Sequence, residues 1–322
     1  MTDKSQLSSP SLRGDGSEPC YVLLTAAHNE QLFIAQTIES VLSQTMAPVK
    51  WVIASDGSND RTDEIVQNYS SRHDFIQLLR VERTQARGVG SKVNALNLAD
   101  KQLQGVEYEF VGNLDADVTF QPGYFETLLA RFQNEPKLGI TGGMIYEKRG
   151  GKFKSRISNS VTSVAHAAQL VRRECYQAIG GYSALEYGGE DWYAEVSARM
   201  RGWLVEATPS LQVMHHRLTG GADRAMRHCF REGKMDFSVG SHPVFEVLKC
   251  ARRFAERPLF FGGLARFAGF CSYHITRDAR LVSPEFVSFL RSEQQQRLRS
   301  LFGRTSVAAS GFGRGQSSDP CC

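Results

Sequence analysis

Residues 21–114 alternate short apolar runs with segments whose apolar residues recur at helical spacing. Tyr21 to Ala27 is such a run, and the apolar residues from Phe33 to Leu42 follow it with helical periodicity. The same order of strand, turn and helix recurs before a fourth apolar run. Alternating strands and helices build a mostly parallel sheet with helices on both faces, so we predict an α/β, Rossmann-like fold. The predicted strands are 21–27, 49–54, 75–79 and 108–114, and the predicted helices are 33–42, 61–69 and 91–103.

The alternation weakens after Ile140. Residues 147–160 are polar and rich in Gly, Lys and Ser, which predicts a long loop. From residue 223 to residue 302 the pattern is helical and basic, which predicts a helical extension beyond the α/β region. Three prolines mark predicted helix starts in that extension: Pro243, Pro258 and Pro284.

Composition excludes several classes of protein. Of the 322 residues, 41% are hydrophobic and 22% are charged, which is typical of a globular protein with a large core. The net charge of +4 argues against a dedicated nucleic-acid binder, so we expect no nucleic-acid partner. Residues 1–150 carry 14 basic and 19 acidic side chains, whereas residues 151–322 carry 24 and 15. We expect the acidic and the basic half to do different jobs.

The sequence favours a reducing compartment and offers no membrane span. The seven cysteines are scattered, without the paired spacing of a zinc site or a disulfide framework. Residues 1–19 lack the apolar segment of a secretory signal. The most apolar stretch, 258–275, contains Arg266 and is interpreted as buried or interfacial. We therefore expect a cytoplasmic protein that is soluble or peripheral on the cytoplasmic face of the membrane.

Acidic side chains follow three of the predicted strands. Glu30 follows the first strand, Asp56 ends the second, and Asp115 and Asp117 follow the fourth. In parallel sheets ligands bind beyond the carboxyl ends of the strands, so these side chains are candidate site residues. Asp115 and Asp117 could share a hard divalent cation, Mg²⁺ or Mn²⁺, which prefers oxygen ligands. The alternative is that they cap the next helix or face water.

The turn from Asp56 to Asp60 has two interpretations that are compatible. The Asp56 carboxylate could accept a hydrogen bond from the N3–H of a uracil or from a ribose hydroxyl. Ser58 and Asp60 could instead cap the following helix. The segment from Gly88 to Lys92 lacks full P-loop spacing, and the first turn lacks the dinucleotide-binding glycines. NTPase and dehydrogenase functions are therefore disfavoured.

Two further clusters carry possible chemistry. Glu190 and Asp191 follow a Gly-rich turn at the start of a predicted helix, where a carboxylate could act as general base on a bound hydroxyl or simply cap the helix. His215 and His216 follow an apolar run, and either could be a third metal ligand. A structural histidine at the end of a strand is the alternative.

Taken in order, these residues resemble the family 2 glycosyltransferases, which have the nucleotide-diphospho-sugar transferase fold called GT-A. The resemblance spans about residues 20 to 217. Two departures from the family pattern are Thr25-Ala26 in place of Pro-Ala and Ser55 in place of the first Asp of an Asp-Asp pair. The segments that carry the resemblance are Thr25–Glu30, Ser55–Asp60, Lys92–Asn97, Asp115–Asp117, and Gly180–Tyr182 with Glu190-Asp191.

The resemblance implies an inverting glycosyltransferase of polysaccharide or glycoconjugate biosynthesis. It would move a sugar from a nucleotide-diphospho-sugar donor to a hydroxyl of a glycan or lipid-linked acceptor, with a divalent metal on the leaving diphosphate. The implied base is Asp191 with Glu190 beside it, and the implied metal ligands are Asp117, Asp115 and His215 or His216. The implied nucleotide-sugar contacts are Ala27, Asn29, Glu30, Asp56, Ser58, Lys92, Asn94, Asp115, Ala116 and Arg217, and further diphosphate partners would be Arg87 and His215.

The resemblance also implies a division of the chain. The GT-A domain would cover residues 20–217, with nucleotide-sugar binding in 20–120 and the acceptor side in 121–217. A basic helical extension would follow at 218–304. The termini, 1–19 and 305–322, are expected to be disordered because they are polar or rich in Gly and Ser.

The basic extension raises the hypothesis of peripheral membrane contact. Residues 217–322 hold 17 basic and 9 acidic side chains, and aromatic and aliphatic residues from Leu259 to Tyr273 lie among arginines. Such a segment could lie on an anionic bilayer and reach a lipid-linked acceptor. The alternative is that these apolar side chains pack on the catalytic domain.

Two rival functions use the same residues. Asp115-Ala-Asp117-Val-Thr119 also fits the Asp-x-Asp-x-Thr motif of haloacid-dehalogenase-like phosphotransferases, with Asp115 as nucleophile. That motif is typical only after the first strand, whereas three strand-helix units precede it here. The other rival is a non-catalytic carbohydrate-binding or scaffold subunit, which would tolerate loss of Asp191.

Overall fold

The chain forms two compact units that divide between residues 220 and 221. The computed structural model describes residues 19–82, 90–156, 158–217, 222–254, 260–276 and 280–309. We call residues 1–220 the N-terminal unit and residues 221–322 the C-terminal unit.

The first half of the sheet in the N-terminal unit is parallel, as predicted. Its four strands lie in the order β3-β2-β1-β4, and every neighbouring pair is parallel. The helices that connect them begin and end within a few residues of the predicted positions. The strands are β1 (Tyr21–Ala27), β2 (Lys50–Asp56), β3 (Ile76–Val81) and β4 (Phe110–Leu114), and the helices are α1 (Ile34–Leu42), α2 (Thr62–Ser70) and α3 (Ser91–Asp100), with a 3-10 turn at Lys101–Leu103.

The second half of the sheet is mixed. Beyond β4 the order continues β8-β6-β9-β5, in which only β6 and β9 are parallel, and β7 pairs with β6 outside this path. The strands of this half are β5 (Val118–Phe120), β6 (Leu138–Arg149), β7 (Lys152–Ser155), β8 (Ala168–Arg172) and β9 (Leu204–His215), and the helices are α4 (Tyr124–Asn134), α5 (Arg173–Ile179) and α6 (Glu190–Met200).

The loop predicted for residues 147–160 is wrong over much of its length. Tyr146 pairs with Ser155 and Arg149 with Lys152, so β6 and β7 form a hairpin. Gly150 and Gly151 make its two-residue turn with φ of 59° and 78°, a backbone conformation that favours glycine. The strand β7 is exposed along its whole length, so it lacks the apolar alternation by which a strand is recognised in a sequence.

The core lies on both faces of the sheet. Along β1, Tyr21 and Leu23 belong to the cluster that includes α1, whereas Val22 and Leu24 belong to the cluster that includes α3. Successive side chains of a strand point to opposite faces, so a strand covered on both sides reads as a continuous apolar run. This is why the run from Tyr21 to Ala27 predicted its strand so well.

A register shift bends the long pair β6 and β9. Gly143 lies opposite Thr208, but the next residue, Met144, lies opposite Gln212, so β9 has extra residues at this step. Such a bulge bends the strand that carries it. Beyond the bulge, β9 reaches β5 and sets His215 opposite Val118. The far end of β9 is thereby brought next to the segment that follows β4.

The C-terminal unit is helical. As predicted, helices begin at Pro243 and Pro284, whereas Pro258 lies outside the described residues. The last helix continues through Ala309 and so enters the segment 305–322 that was expected to be disordered; residues 1–18 and 310–322 lie outside the described part of the chain. The helices are α7 (Ala222–Ser238), α8 (Pro243–Arg253), α9 (Phe261–Thr276) and α10 (Pro284–Ala309).

A buried ionic cluster joins α7, α8 and α9. Arg266 on α9 is 2% exposed, and its guanidinium pairs with Asp236, with Glu246 at 2.9 Å and with Glu232 at 2.8 Å. Lys249 adds a second cation to Asp236 at 2.8 Å. A buried charge is tolerated only when it is paired and hydrogen-bonded. The polar side of α9 therefore faces α7 and α8.

Glycine lets α7 and α9 approach each other closely. A Cβ atom on Gly233 would lie 1.9 Å from the carbonyl oxygen of Arg266, and one on Gly269 would lie 2.0 Å from that of Phe230. No other residue fits at either position without separating the helices. Across the described residues of the chain, no helix combines the length and the apolar character needed to cross a membrane.

Candidate active site

Asp115, Asp117 and His215 form a cluster at the carboxyl end of β4. One potential ligand atom from each side chain lies within 4.8 Å of those of the other two. The backbone N–H of Asp115 donates to the carbonyl of Ala167 over 2.8 Å, which fixes the segment after β4. The Nε2 atom of His215 lies 3.5 Å from Oδ1 of Asp117. Two carboxylates and one imidazole are ligands that suit Mg²⁺ or Mn²⁺.

His216, the alternative metal ligand, lies outside this cluster. Its Nε2 shares a hydrogen bond of 2.8 Å with Oγ1 of Thr119, and its ring lies against Phe33 and Phe153. Neighbouring side chains at the end of a strand point to opposite sides, so only one of the two histidines can face Asp117. The histidine that lies beside the two carboxylates is therefore His215 and not His216.

Lys92 neutralises part of the acidic cluster. Its ammonium lies 2.5 Å from Oδ1 of Asp115. Burial pushes the pKa of Asp115 upward, but the Lys92 charge outweighs burial and holds that pKa below its ordinary value. Burial lowers the pKa of Lys92, but Asp115, Asp191 and Asp117 together raise it above its ordinary value. Both groups are therefore ionised at neutral pH.

Arg217 bridges two of the predicted site acids. Its guanidinium pairs with Glu30, and its Nε donates to Oδ2 of Asp117 over 3.1 Å. Burial raises the pKa of Glu30 to about 7, although Arg217 lowers it. The second oxygen of Glu30 is buried without a hydrogen-bond partner. Glu30 and Asp117 thus share one cation at the rim of the sheet.

The turns after β1 and β2 are locked together. The Ser58 hydroxyl accepts a hydrogen bond from the N–H of Asn29 at 3.2 Å, and the Asn29 side chain accepts one from the N–H of Asn59 at 2.9 Å. Asn29 has a φ of 55°, which asparagine tolerates better than most residues. The carboxylate of Asp60 accepts from the N–H of Thr62 at 3.0 Å, as a helix cap does. Asn29 and Ser58 thus position this rim.

The other predicted nucleotide contacts differ in exposure. Asp56 is 4% exposed at the end of β2, and its backbone carbonyl is 2.7 Å from Nδ1 of His28. Ala27 and Ala116 are buried, whereas Asn94 on α3 is exposed. Arg87 lies outside the described residues.

Ser55, which departs from the family pattern, has its own acidic partner. Its hydroxyl donates to Asp63 on α2, and Asp63 pairs with Arg80 at 3.0 Å. This link ties the end of β2 to α2 and β3. The link could not be predicted from the sequence, because Asp63 lies in the first turn of α2, where an acidic side chain is typical of ordinary surface charge.

The predicted base lies at the start of α6. Glu190 and Asp191 occupy its first turn, and Oδ1 of Asp191 accepts from the N–H of Trp192 over 2.8 Å. Burial, reinforced by Asp191, raises the pKa of Glu190 above its ordinary value. Because Asp191 stabilises the Lys92 ammonium together with Asp115, the start of α6 is electrostatically coupled to the acidic cluster.

Two hydrogen-bonding side chains that hold the segments around α6 were not predicted as site residues. Glu195 on α6 is 2% exposed, and its Oε1 accepts hydrogen bonds from the N–H of Val164 at 2.6 Å and from Ser163 at 3.1 Å. The side-chain amide of Asn97 donates to the carbonyl of Tyr182 over 3.3 Å. Glu195 belongs to an otherwise ordinary helical pattern, so no sequence signal marks it, whereas Asn97 ends the segment Lys92–Asn97 that carries part of the family resemblance.

Residues 23–186 match the family model described as glycosyl transferase family 2. The chain belongs to glycosyl transferase family 2. The match covers half of the chain, begins within β1, ends after α5 and contains Asp56, Asp115 and Asp117. The predicted membership of this family is confirmed.

Named relatives of this family 2 chain match over a shorter segment. It is 36% identical over 121 residues to the poly-beta-1,6-N-acetyl-D-glucosamine synthase of Staphylococcus epidermidis. The aligned segment makes up 37% of this chain and 27% of that protein. The synthase of the same name from Staphylococcus aureus is 33% identical over 120 residues, with the same two shares. The matched segment thus spans 27% of the length of these curated relatives.

Solved structures confirm the GT-A fold. The mannosyltransferase PcManGT of Pyrobaculum calidifontis, solved with GDP-Man and Mn²⁺, superposes with a TM-score of 0.55 at 16% identity, over 90% of this chain and 83% of that one. TarS 1-349 of S. aureus, solved with UDP-GlcNAc, superposes with a TM-score of 0.52 at 13% identity, over 87% and 92%. At such identities the likeness establishes the fold alone.

Proposed function

We propose that this chain is an inverting glycosyltransferase that moves a sugar from a nucleotide-diphospho-sugar to a hydroxyl of a glycan or lipid-linked acceptor. The observation that carries the proposal is the cluster of Asp115, Asp117 and His215, which Lys92 couples to Asp191 at the start of α6. A donor site and a candidate base would then share one edge of the sheet, where ligands of α/β folds bind.

The cluster fits a divalent cation. Its donors are two carboxylates and an imidazole, and the Nδ1 atom of His215 is buried without a hydrogen-bond partner. Asp117 and Asp115 would hold Mg²⁺ or Mn²⁺ with His215 as the third ligand. When bound, the cation would neutralise charge that develops on the departing diphosphate.

The remaining donor-site residues divide into acids and cations. Glu30 and Asp56, at the ends of β1 and β2, would hold the nucleoside through hydroxyl or imide hydrogen bonds. Lys92 and Arg217 would contact the diphosphate, because cations placed where negative charge develops lower the barrier. In the structure both cations are paired with acids of the same site, so donor binding exchanges one set of ion pairs for another.

Asp191 would take the proton of the acceptor hydroxyl. As that proton leaves, the hydroxyl oxygen forms a bond to the anomeric carbon, and the bond from that carbon to the diphosphate oxygen breaks on the opposite face. Nucleoside diphosphate leaves, and a single displacement inverts the anomeric centre. Glu190, whose pKa burial raises, stands beside the base and would help to position it.

The biological setting is proposed from the relatives. The synthases of S. epidermidis and S. aureus are named for poly-beta-1,6-N-acetyl-D-glucosamine, so we infer a role in polysaccharide or glycoconjugate synthesis in the cytoplasm. Residues 20–217 would form the catalytic domain, with the acceptor side in 121–217, and residues 218–304 would form a basic helical extension. The haloacid-dehalogenase-like alternative loses support because Asp115 follows the fourth strand of a family 2 domain.

A donor screen tests the proposed function. Purified protein is incubated with UDP-, GDP- and dTDP-sugars and with Mn²⁺ or Mg²⁺, and release of nucleoside diphosphate is measured. We expect release from one donor class, dependent on metal, and its loss in Asp117→Asn. Tight donor binding without release for any donor or acceptor would favour the non-catalytic carbohydrate-binding alternative and reject the proposal.

A further inference from the structure

The outer faces of α8 and α9 carry a dense set of exposed apolar side chains. Of the fifteen large apolar side chains exposed among the described residues, nine belong to the C-terminal unit, the shorter of the two. Phe261 is 65% exposed and Leu264 is 55% exposed. A concentration of large exposed apolar side chains on two neighbouring helices is typical of a surface that contacts something other than water. The set that we call the apolar face consists of Val244, Val247, Leu248, Phe260, Phe261, Leu264 and Phe267.

The apolar face is not the side by which these helices hold together. On α9, Arg266 and Gly269 point to α7 and α8, through the ionic cluster and the close glycine contact. Among the described side chains of α8 and α9, every exposed one is apolar apart from Arg252. The two helices are thus amphipathic in an unusual sense, with ion pairs turned inward and apolar groups turned outward.

Among the described side chains of the C-terminal unit outside the apolar face, the exposed charges are mainly positive. Three of its acids, Glu232, Asp236 and Glu246, are paired within the ionic cluster of Arg266 and its neighbours. Within the described part of the unit, Glu285 is the one acidic residue classed as exposed. Six arginines of the same part are exposed: Arg227, Arg231, Arg252, Arg280, Arg297 and Arg299.

We propose that the apolar face inserts into the headgroup region of an anionic lipid bilayer, with α9 lying along the membrane surface. Outward phenylalanines and leucines would enter the boundary between headgroups and acyl chains, while the arginines of the unit meet anionic headgroups. A second copy of the chain fits this surface poorly, because pairing two such units would bring two sets of arginines together. The biological use, delivery of the site to a lipid-linked acceptor, rests on the proposed function; the binding itself does not.

Vesicle co-sedimentation of the full chain, without donor, metal or acceptor, tests the inference. Phosphatidylcholine vesicles are compared with vesicles that also contain phosphatidylglycerol. We expect binding to the anionic vesicles that weakens with added salt, because exposed charges are screened. Replacing Phe261 and Leu264 together by Ser should weaken binding by at least about tenfold, since each apolar side chain that enters the bilayer adds to the affinity.

A matched control variant distinguishes vesicle binding by the apolar face from nonspecific vesicle binding by exposed apolar residues elsewhere. Val49 is an exposed apolar residue of the N-terminal unit, 47% exposed, so Val49→Ser should bind vesicles as the unsubstituted chain does. Circular dichroism of each variant checks that the fold is kept.

Absence of binding to either vesicle, or equal binding by the Phe261→Ser, Leu264→Ser variant, overturns the inference. So does a dimer in sedimentation velocity that this variant dissociates, because the face would then belong to a second copy. Donor hydrolysis measured in solution reports on the proposed function separately.

Discussion

The guanidinium of Arg217 donates to the carboxylate of Asp117 over 3.1 Å, at the same edge of the sheet where Asp117 meets His215. A cation bound at Asp117 must therefore compete with Arg217. We predict that Arg217→Gln binds Mn²⁺ alone more tightly, by about tenfold, which is the scale of one lost ionic competitor near a protein surface. Calorimetric titration with Mn²⁺ measures this change. In the presence of donor the variant should transfer more slowly, because Arg217 also serves the diphosphate.

Arg61→Gln is the matched control for that experiment. Arg61 also pairs with a carboxylate, that of Glu64, but this pair is exposed at the start of α2, and Glu64 is not a member of the acidic cluster. Its loss should leave Mn²⁺ affinity unchanged. Equal or weaker Mn²⁺ binding by Arg217→Gln would show that Arg217 does not compete for the acidic cluster.

Lys92 sets the ionisation of Asp115, and this predicts a pH effect. In Lys92→Met the cation that lowers the pKa of Asp115 is gone while burial, which raises that pKa, remains. Asp115 then becomes protonated at higher pH, and a protonated carboxyl binds metal poorly. We predict that the acid limb of Mn²⁺ binding moves to higher pH in the variant, measured by titrations between about pH 5 and pH 8. Lys101→Met, an exposed lysine just beyond α3, should show no movement of that limb.

Substituting each of the two neighbouring histidines should have a different effect on Mn²⁺ affinity. His215→Ala removes the imidazole that lies within the acidic cluster, and Mn²⁺ affinity should fall by about ten- to a hundredfold. His216→Ala removes a ring held by Thr119, Phe33 and Phe153, so it should lower the unfolding temperature and spare Mn²⁺ affinity. Electron paramagnetic resonance of bound Mn²⁺ distinguishes the variants. If loss of His216 proved the more damaging to metal binding, the assignment of ligands would be wrong.

Asp191→Asn tests the base directly. The amide keeps the size of the side chain and still accepts a hydrogen bond from the N–H of Trp192, as Oδ1 does now. It cannot take a proton, so transfer should slow by about 10² to 10⁴. Donor affinity, measured by calorimetry, should be unchanged. Undiminished transfer in this variant would remove Asp191 from the mechanism.

Glu195 predicts how stability depends on pH. Burial raises its pKa to about 7 from 4.5, so the folded state holds its proton over a range where the unfolded state has lost it. The stability that this proton contributes therefore falls as pH rises from about 4.5 to about 7, by as much as about 3 kcal/mol, and does not change above that range. In Glu195→Gln this contribution should be absent, so stability should fall less over the same range, while the contribution of Glu30, whose pKa is also raised to about 7, remains. Urea unfolding between about pH 5 and pH 8 measures the difference. Glu107→Gln, at an exposed residue, should keep the profile of the unsubstituted chain.

The sequence predicts best where one physical requirement dominates. The strands β1, β2 and β4 are buried on both faces, so each must be an apolar run, and the acids at their ends are then placed by the geometry of a parallel sheet. Asp115 and Asp117 were found in this way. The hairpin of β6 and β7 was not predicted because β7 is exposed along its whole length and needs no apolar pattern.

Pairings between distant residues could not be predicted. Sequence alone leaves His215 and His216 equivalent, and the choice between them depends on the bulge that aims β9 at β5. The bridge from Arg217 to Glu30 joins opposite ends of the domain, with no local pattern at either end. Arg266 illustrates the same limit: the stretch that contains it was interpreted as buried or interfacial, but its acidic partners on α7 and α8 could not be predicted.

The pairing of β5 limits where segments of this chain can be exchanged with those of a relative. Val118 to Phe120 follow the donor-side strands in sequence, yet they pair with β9, the last strand of the unit. A crossover between relatives near residue 120 would therefore separate β5 from the partner that it evolved with. A crossover near residue 220, where the two units divide, leaves every strand with its partner. The helical extension is thus the part of this chain that evolution or a protein engineer could exchange as a module.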